Sequence, residues 1–278
     1  MASSTKADTL KKKHKMSLRT EEKRVIHPHR SYRKLVEVSN RVLLFEFLIL
    51  SLPMTIAIYF LYPLLTYLNC YNAYFLLSGV IPEEFIRIQQ VPYLGQVLYI
   101  LSIPGSYPTS QFAFITAIVS LLILLIVPQT KLLPKSISMW IAFFLFINLV
   151  SSVFFMLIPH LFPYTVSVFS DLYMKTEVSM WIILPPLLAI SVLPLPSRLL
   201  SKFFLIAMIL LLDIILGIVR YVFFMYMLNK YSFLFMAVMF FSFGPLIDFL
   251  YAVATYSIYV SYVSQKIKRK LKLWKWSY

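Results

Sequence analysis

Charged residues and glycine are scarce in this chain of 278 residues, which contains only five glycines. Asp, Glu, Lys and Arg make up 13% of the sequence, against about 25% in a typical soluble domain. A soluble domain of this length needs a polar outer shell, and a composition that is 60% hydrophobic does not provide one. The composition therefore excludes a soluble globular enzyme and a disordered chain.

Cysteine and histidine are also scarce. The single cysteine, Cys70, excludes an intrachain disulfide and a cysteine-based metal site. Three histidines (His14, His27 and His29) lie in the polar N-terminal segment, far from His160, so the four form no ligand cluster. The sequence also lacks a glycine-rich phosphate loop, a metalloprotease helix motif and the paired acidic motif of sugar-nucleotide transferases. We therefore predict no metal and no cofactor.

Long apolar runs dominate the sequence. A membrane-spanning helix needs about 20 mostly apolar residues, and six runs approach or exceed that length. They are 42–65, 112–127, 137–158, 178–195, 203–228 and 233–262. The sequence predicts an all-α, polytopic bundle of six transmembrane helices that lies in the lipid bilayer of the cell membrane. Prolines inside the first and fourth runs predict kinks in those helices.

The basic residues flank the apolar runs. Residues 1–41 hold twelve Lys/Arg and four acids, and residues 263–278 hold six Lys/Arg and no acid. Such charges mark the cytoplasmic side of a membrane, so they indicate topology and contact with anionic lipid rather than nucleic-acid binding. We predict a cytoplasmic segment 1–40 with an amphipathic helix over 31–40, a six-span domain 41–262, and a cytoplasmic tail 263–278. Both termini lie inside, and every predicted loop obeys the positive-inside rule.

The predicted outer loop 66–111 is unusually aromatic. An apolar loop exposed to water is unfavourable, so we expect it to lie at the membrane interface or to fold over the mouth of the bundle. Residues 83–90 of this loop are compatible with a short surface helix.

Four ionisable side chains fall inside the apolar runs, where an unpaired charge is costly. Glu46 lies near the inner end of the first run, and we interpret it as a snorkelling or paired residue close to Arg41. Asp213 and Arg220 share one face of the fifth run, about 10 Å apart along the helix axis. Asp248 follows the helix-loosening pair Gly244-Pro245 in the sixth run.

These groups predict a polar site in the outer half of the bundle. Glu177, His160 and Arg220 would gather there, with Asp213 and Asp248 beneath them. One interpretation is that the charges are structural pairs that hold the helices together. The other is a binding site that opens outward, in which Arg220 holds a carboxylate or phosphate through two parallel hydrogen bonds.

The segment 175–262 resembles the catalytic half of the exosortase/archaeosortase family of membrane transpeptidases. In that family an acidic residue shortly precedes a catalytic Cys, and an Asn-x-x-Arg motif and then a His or Arg follow on the next spans. Here Thr176-Glu177-Val178-Ser179 occupies the Cys region, Gly217-Ile218-Val219-Arg220 stands at the Asn-x-x-Arg position, and Phe243–Asp248 stands near the third position. The catalytic Cys and the final His are absent.

The resemblance implies a membrane-embedded pseudoenzyme that keeps the fold but not the thiol chemistry. Because members of the family are associated with exopolysaccharide machinery, it further implies a non-catalytic subunit or scaffold in cell-envelope biogenesis. Its partner would be a membrane protein such as a glycosyltransferase. Two alternatives stay open: an enzyme acting on a lipid-linked or peptide substrate, and a small-solute or lipid transporter that uses Asp213 and Asp248 as a proton relay.

Overall fold

The computed structural model describes residues 40–127, 134–195 and 197–268, and its fold is 80% helical. The predicted basic segment 1–40, with its amphipathic helix, lies outside the described residues apart from Asn40, as does the tail beyond Lys268. The helices are α1 (Asn40–Leu77), α2 (Ser110–Ile126), α3 (Lys135–Leu157), α4 (Val166–Val192), α5 (Leu199–Lys230), α6 (Met236–Phe243) and α7 (Pro245–Lys268). Two strands, β1 (Arg87–Tyr93) and β2 (Gln96–Ser102), lie between α1 and α2.

Within the described residues, five helical segments are long and apolar enough to cross a membrane. They are Arg41–Leu77, Lys135–Leu157, Val166–Val192, Leu199–Lys230 and Phe233–Lys266. The chain is therefore a multi-pass membrane protein, and its bundle is predominantly α-helical as predicted. The run 112–127 forms the shorter apolar helix Ser110–Ile126, so the structure supports five of the six predicted spans by length.

The helices pack in two groups that α6 and α7 connect. Helices α1, α4 and α5 contact one another, and the β-strands lie against α1 and α4. Helices α2 and α3 form an antiparallel pair that contacts the rest mainly through α6. Small residues of α2 (Ala113, Ala117 and Ser120) face α3 and are buried, and Asn148 Nδ2 donates to Ser120 Oγ across 2.8 Å. Small side chains allow such close helix approach in a membrane.

The helix-interrupting prolines are compensated by neighbouring elements. A proline leaves the carbonyl four residues earlier without its helical donor, and such a carbonyl needs another partner in a membrane protein. Pro63 frees the Tyr59 carbonyl, which accepts from Gln96 Nε2 at 2.8 Å. Pro186 frees the Ile182 carbonyl, which accepts from Thr55 Oγ1 at 3.5 Å. The second contact joins α4 to α1, so these two carbonyls are satisfied by tertiary contacts.

A β-hairpin occupies much of the predicted outer loop, and the predicted helix over 83–90 is wrong. Helix α1 continues to Leu77, a single 3₁₀ turn covers Glu83–Phe85, and β1 begins at Arg87. The strands pair antiparallel around the two-residue turn Leu94–Gly95, where φ is 47° and 82°. Positive φ at both positions is the geometry of a type I′ hairpin turn. The signal missed in the sequence is the alternation of β-branched and aromatic residues on either side of Leu94–Gly95.

The hairpin folds back onto the bundle as expected of an aromatic loop. Side chains of β1 are mostly exposed, whereas Leu98 and Leu101 of β2 are fully buried. The N–H of Leu101 donates to Tyr221 Oη at 2.9 Å, and Tyr221 Oη also bonds Ser170 Oγ at 2.6 Å. Side chains of α4 and α5 therefore provide the hydrogen bonds for the strand edge that faces the bundle.

Helix α4 begins twelve residues before the predicted fourth run, at Val166. Glu177 therefore lies near the middle of this helix rather than at its outer end, which corrects the predicted position. The added turns carry polar residues, including the partly exposed ion pair of Asp171 with Lys175 at 2.8 Å. A hydropathy run ends at such residues, but Phe169, Tyr173 and Met174 give the segment a buried face that continues the helix.

Glu46 pairs with Lys202 rather than with Arg41. Lys202 Nζ lies 3.0 Å from Glu46 Oε2 and donates to the carbonyl of Leu193 at 3.0 Å. Because Leu193 is the C-cap of α4, the ammonium group satisfies an otherwise open helix end and neutralises a carboxylate on α1. Lys202 of α5 thus joins three helices.

Candidate functional site

Arg220 lies in the interior of the bundle, 8% exposed, and its guanidinium is surrounded by groups of the chain itself. Nη2 donates to Glu177 Oε1, Nε donates to Tyr173 Oη at 2.7 Å, and Nη1 donates to the Gly244 carbonyl at 3.2 Å. Nη1 is also 2.6 Å from Asp248 Oδ1. One arginine on α5 therefore connects α4 with the junction between α6 and α7.

We call Tyr173, Glu177, Asp213, Arg220 and Asp248 the Arg220 cluster. Tyr173, Glu177, Asp213 and Asp248 are each 1% exposed. The guanidinium carbon of Arg220 lies 5.7 Å from the centre of the Tyr173 ring, so the tyrosine offers both its hydroxyl group and its π face to the cation. The cluster contains three carboxyl groups and one guanidinium.

Asp213 lies about two helical turns before Arg220 on α5, and it accepts no hydrogen bond from the described part of the chain. Neither of its oxygens accepts a hydrogen bond from an N–H or O–H group among the described residues. The guanidinium of Arg220 is thus surrounded by partners, whereas the carboxyl group of Asp213 is buried without one among the described residues.

A break in the last helical segment places Asp248. Helix α6 ends at Phe243, Gly244 adopts a non-helical conformation (φ −82°, ψ −126°), and α7 begins at Pro245. Asp248 therefore lies in the first turn of α7, where the helix dipole favours a carboxylate. The same break releases the Gly244 carbonyl, which accepts from both Arg220 and Ile247.

Gly217 provides the space for Glu177. A Cβ atom at position 217 would lie 3.3 Å from Glu177 Oε2 and 4.0 Å from Trp181 Cζ2, so both side chains pack directly on the backbone of α5. Glu177 Oε2 and Trp181 Nε1 are buried without a hydrogen-bond partner among the described residues. One unpaired acceptor and one unpaired donor therefore belong to the two side chains that pack on Gly217.

The structure brings four of the five predicted site residues together: Glu177, Asp213, Arg220 and Asp248. His160 does not join them, because it lies in an exposed 3₁₀ turn between α3 and α4. Tyr173 is a member that sequence reasoning missed, although its position one turn before Glu177 places the two on the same helix face. Its ring carries no sequence signal that distinguishes it from the other 18 tyrosines.

The saturation of Arg220 changes the expected binding chemistry. The predicted outward pocket required free guanidinium donors for a carboxylate or phosphate, whereas here the donors contact Glu177, Tyr173, Gly244 and Asp248. Carboxyl groups outnumber the cation in the cluster, so an added anion would meet repulsion. The arrangement favours an internal brace and the binding of positive charge.

An apolar cleft of about 190 Å³ lies beside the cluster, between α3, α4 and α6. Phe169 and Phe240 form part of its wall, together with Leu172 and Phe241, which are exposed on the outer surface of the bundle. Phe169 stacks on Tyr173 with ring centres 6.2 Å apart. A single aromatic layer therefore separates the charged cluster from a cleft suited to a hydrocarbon chain.

Two candidate nucleophiles, Ser179 and Cys70, have partners outside the cluster. Ser179 Oγ contacts Tyr93 Oη at 2.6 Å and donates to the Lys175 carbonyl at 2.7 Å, on the side of α4 that faces the hairpin. Cys70 is buried against Tyr221, 3.9 Å from its hydroxyl oxygen. Among residues 40–127, 134–195 and 197–268, no group of three or more His, Cys, Asp or Glu side chains is arranged to hold a metal ion.

Comparison with known proteins gives no relative: no protein-family model, curated protein or solved structure matches the chain.

Gly244→Ala tests whether the helix break depends on the absence of a side chain. A Cβ atom at position 244 would overlap the carbonyl oxygen of Phe240, a backbone atom that cannot move without moving α6. We expect the variant to lose most of its folded, monodisperse yield on size-exclusion chromatography in mild detergent. The matched control is Gly79→Ala, whose Cβ meets no atom within 4 Å. Equal yields for both variants would contradict the assigned role of Gly244.

Proposed function

We propose that this chain is a non-catalytic, exosortase-like integral membrane subunit that engages a membrane partner in cell-envelope or exopolysaccharide biogenesis. The partner would be an enzyme such as a membrane-bound glycosyltransferase. The Arg220 cluster would hold the subunit in the conformation that the partner binds.

The observation that carries this proposal is the convergence of Glu177, Arg220 and Asp248. The resemblance to exosortases marks these positions on three different helical segments, and the segments are separated by loops and by a helix break. Their side chains nevertheless meet, with Arg220 bonded to Glu177 and 2.6 Å from Asp248. Convergence of the three marked positions is what a retained exosortase-like arrangement requires.

The chemistry of the cluster favours a non-catalytic role. A covalent mechanism needs a nucleophile within hydrogen-bond reach of a base. Both hydroxyl residues of the segment that occupies the Cys region have other partners: Ser179 bonds Tyr93 and the Lys175 carbonyl, and Thr176 donates to the Leu172 carbonyl. The guanidinium is likewise occupied by internal partners, so the cluster stabilises the bundle rather than a reacting group.

Helix α2 offers the surface for a partner. It packs mainly on α3, and most of its large side chains point away from the chain. They include Phe114, Ile115, Leu122, Leu125 and Ile126, each more than half exposed. An apolar face of this kind, on a helix at the edge of the bundle, suits a helix–helix contact within the bilayer.

We further propose that α2 crosses the membrane. The chain would then span the cell membrane six times, with both termini on its cytoplasmic side. At 1.5 Å per residue, a helix of this length reaches about 25 Å, near the lower limit for spanning a bilayer. Its antiparallel packing on α3 supports a transmembrane hairpin.

Cysteine labelling tests this topology. The native Cys70 is fully buried and gives little background. We expect Gln89→Cys, on the exposed face of β1, to react with a membrane-impermeant maleimide in intact cells. Lys135→Cys and Gln265→Cys should react only after permeabilisation. Labelling of Gln89→Cys and Lys135→Cys from the same side would show that α2 does not cross.

Purification from native membranes in a gentle detergent tests the partnership. We expect a polysaccharide synthase or glycosyltransferase to elute with the tagged chain at a constant ratio. Arg220→Gln should lower that ratio strongly, because the brace between α4, α5 and α7 is lost, whereas Arg87→Gln, on the exposed strand β1, should leave it unchanged. A monodisperse single chain that itself converts a lipid-linked or peptide substrate would contradict the proposal.

A further inference from the structure

The apolar cleft beside the Arg220 cluster opens onto the outer surface of the bundle. Its rim contains Leu172 of α4 and Phe241 of α6, which are 47% and 57% exposed. Its deeper wall contains Phe169 and Met236, which are 2% and 6% exposed. Both helices belong to segments long and apolar enough to cross a membrane, so the rim is continuous with the surface that faces lipid.

The cleft is a gap between helices rather than a shallow depression. It lies between α3, α4 and α6, because α3 packs on α2 and α6 rather than on α4. Its volume of about 190 Å³ is below the ~300 Å³ at which pockets begin to hold drug-sized ligands. The two polar side chains of the lining are Ser151, whose hydroxyl group already donates to the Leu234 carbonyl, and Tyr164. The cleft therefore suits one hydrocarbon chain.

The two ends of the cleft differ in polarity. One end is formed by the turns that precede α4 and α6, where Phe162, Tyr164 and Phe233 lie. Tyr164 is half-exposed there, and tyrosine is enriched at the level of lipid headgroups. Leu172 lies six residues after the start of α4, about 9 Å further along the helix axis. A chain in the cleft therefore runs along α4 with its polar end beside Tyr164.

A free positive charge lies at the same end of the bundle. Lys230 is the last residue of α5, three residues before Phe233, and it is exposed. It takes part in no ion pair within the part of the chain that the structure describes. Asp171, which precedes Leu172 on α4, is already paired with Lys175 at 2.8 Å. The polar end of the cleft is thus complementary to a phosphate group rather than to a cation.

We propose that the cleft binds one acyl chain of an anionic phospholipid, whose phosphate group lies against Lys230. This inference goes beyond the proposed subunit function and does not depend on it. Phe169 of the cleft wall stacks on Tyr173, which accepts from Arg220. The bound chain would therefore support the aromatic layer that covers the Arg220 cluster.

Photocross-linking of the full chain in phosphatidylcholine nanodiscs tests the site. The probe is a trace of dioleoyl phosphatidylglycerol with a diazirine in one acyl chain, and phosphatidylcholine with the same chain is the comparison. In the wild type, adducts should form at Phe169 and Met236, because a chain must enter the cleft to reach these buried side chains. Phosphatidylglycerol should give about fivefold more adduct, since one lysine favours an anionic lipid by about that factor. Absence of these adducts in the wild type would overturn the proposal even if no variant folds.

Two variants separate the acyl chain from the headgroup. Ala237→Trp places a large ring in the cleft and should abolish the adducts, whereas Ala254→Trp, at an exposed position of α7 outside the cleft, should leave them intact. Lys230→Gln should lower the yield with phosphatidylglycerol to that with phosphatidylcholine. Lys266→Gln, exposed near the C-terminal end of α7, should not. Adducts that persist in Ala237→Trp, or a preference for phosphatidylglycerol that survives Lys230→Gln, would overturn the proposal.

Discussion

The contact between Arg220 and Glu177 is the interaction on which the core of this bundle depends. It joins α5 to α4 inside a protein that is apolar on most of its surface, where neither charge can be left unpaired. The remaining donors of Arg220 reach Tyr173 and the Gly244 carbonyl. A single guanidinium therefore fixes the relative positions of α4, α5 and the α6–α7 junction, which are distant in sequence.

The helix break at Gly244 follows from the same constraint. Gly244 adopts a non-helical conformation between α6 and α7, and its carbonyl accepts from Arg220 as well as from the N–H of Ile247. Because a new helix begins at Pro245, Asp248 comes to lie in a first turn. The break thus provides both the acceptor and the carboxyl group that the buried cation requires.

Much of the helical architecture could be predicted from hydropathy, since the ends of the runs 137–158 and 203–228 fall within about four residues of the ends of α3 and α5. The start of α4 could not, because its first turns carry Ser170, Asp171 and Lys175 and are held in the helix by tertiary packing of Phe169 and Tyr173. The hairpin was missed for a related reason. Aromatic residues in a loop indicate burial against something, but they do not show that Thr66, Ser170 and Tyr221 would satisfy a strand edge.

The site was predictable as a set of residues but not as an arrangement. An ionisable group inside an apolar run is easy to recognise in the sequence, which is why Asp213, Arg220 and Asp248 could be chosen. Their pairing could not be chosen, because it depends on where α6 ends and on the close approach of Glu177 to Gly217. His160 is the opposite case. It was predicted to lie near the site because its loop is on the outer side of the bundle, but it lies in an exposed turn away from the cluster.

The most direct test of the central interaction is a double-mutant cycle of Arg220→Gln and Glu177→Gln, measured as the free energy of unfolding in a lipid bilayer. Arg220→Gln leaves buried carboxylates without their cation and should lose about 3–5 kcal/mol, whereas Glu177→Gln should lose less, because Asp248 Oδ1 still lies 2.6 Å from Arg220 Nη1. The double variant should lose less than the sum of the two single losses, because the contact between Arg220 and Glu177 can be lost only once. Small and additive losses, such as those of surface substitutions, would contradict the account.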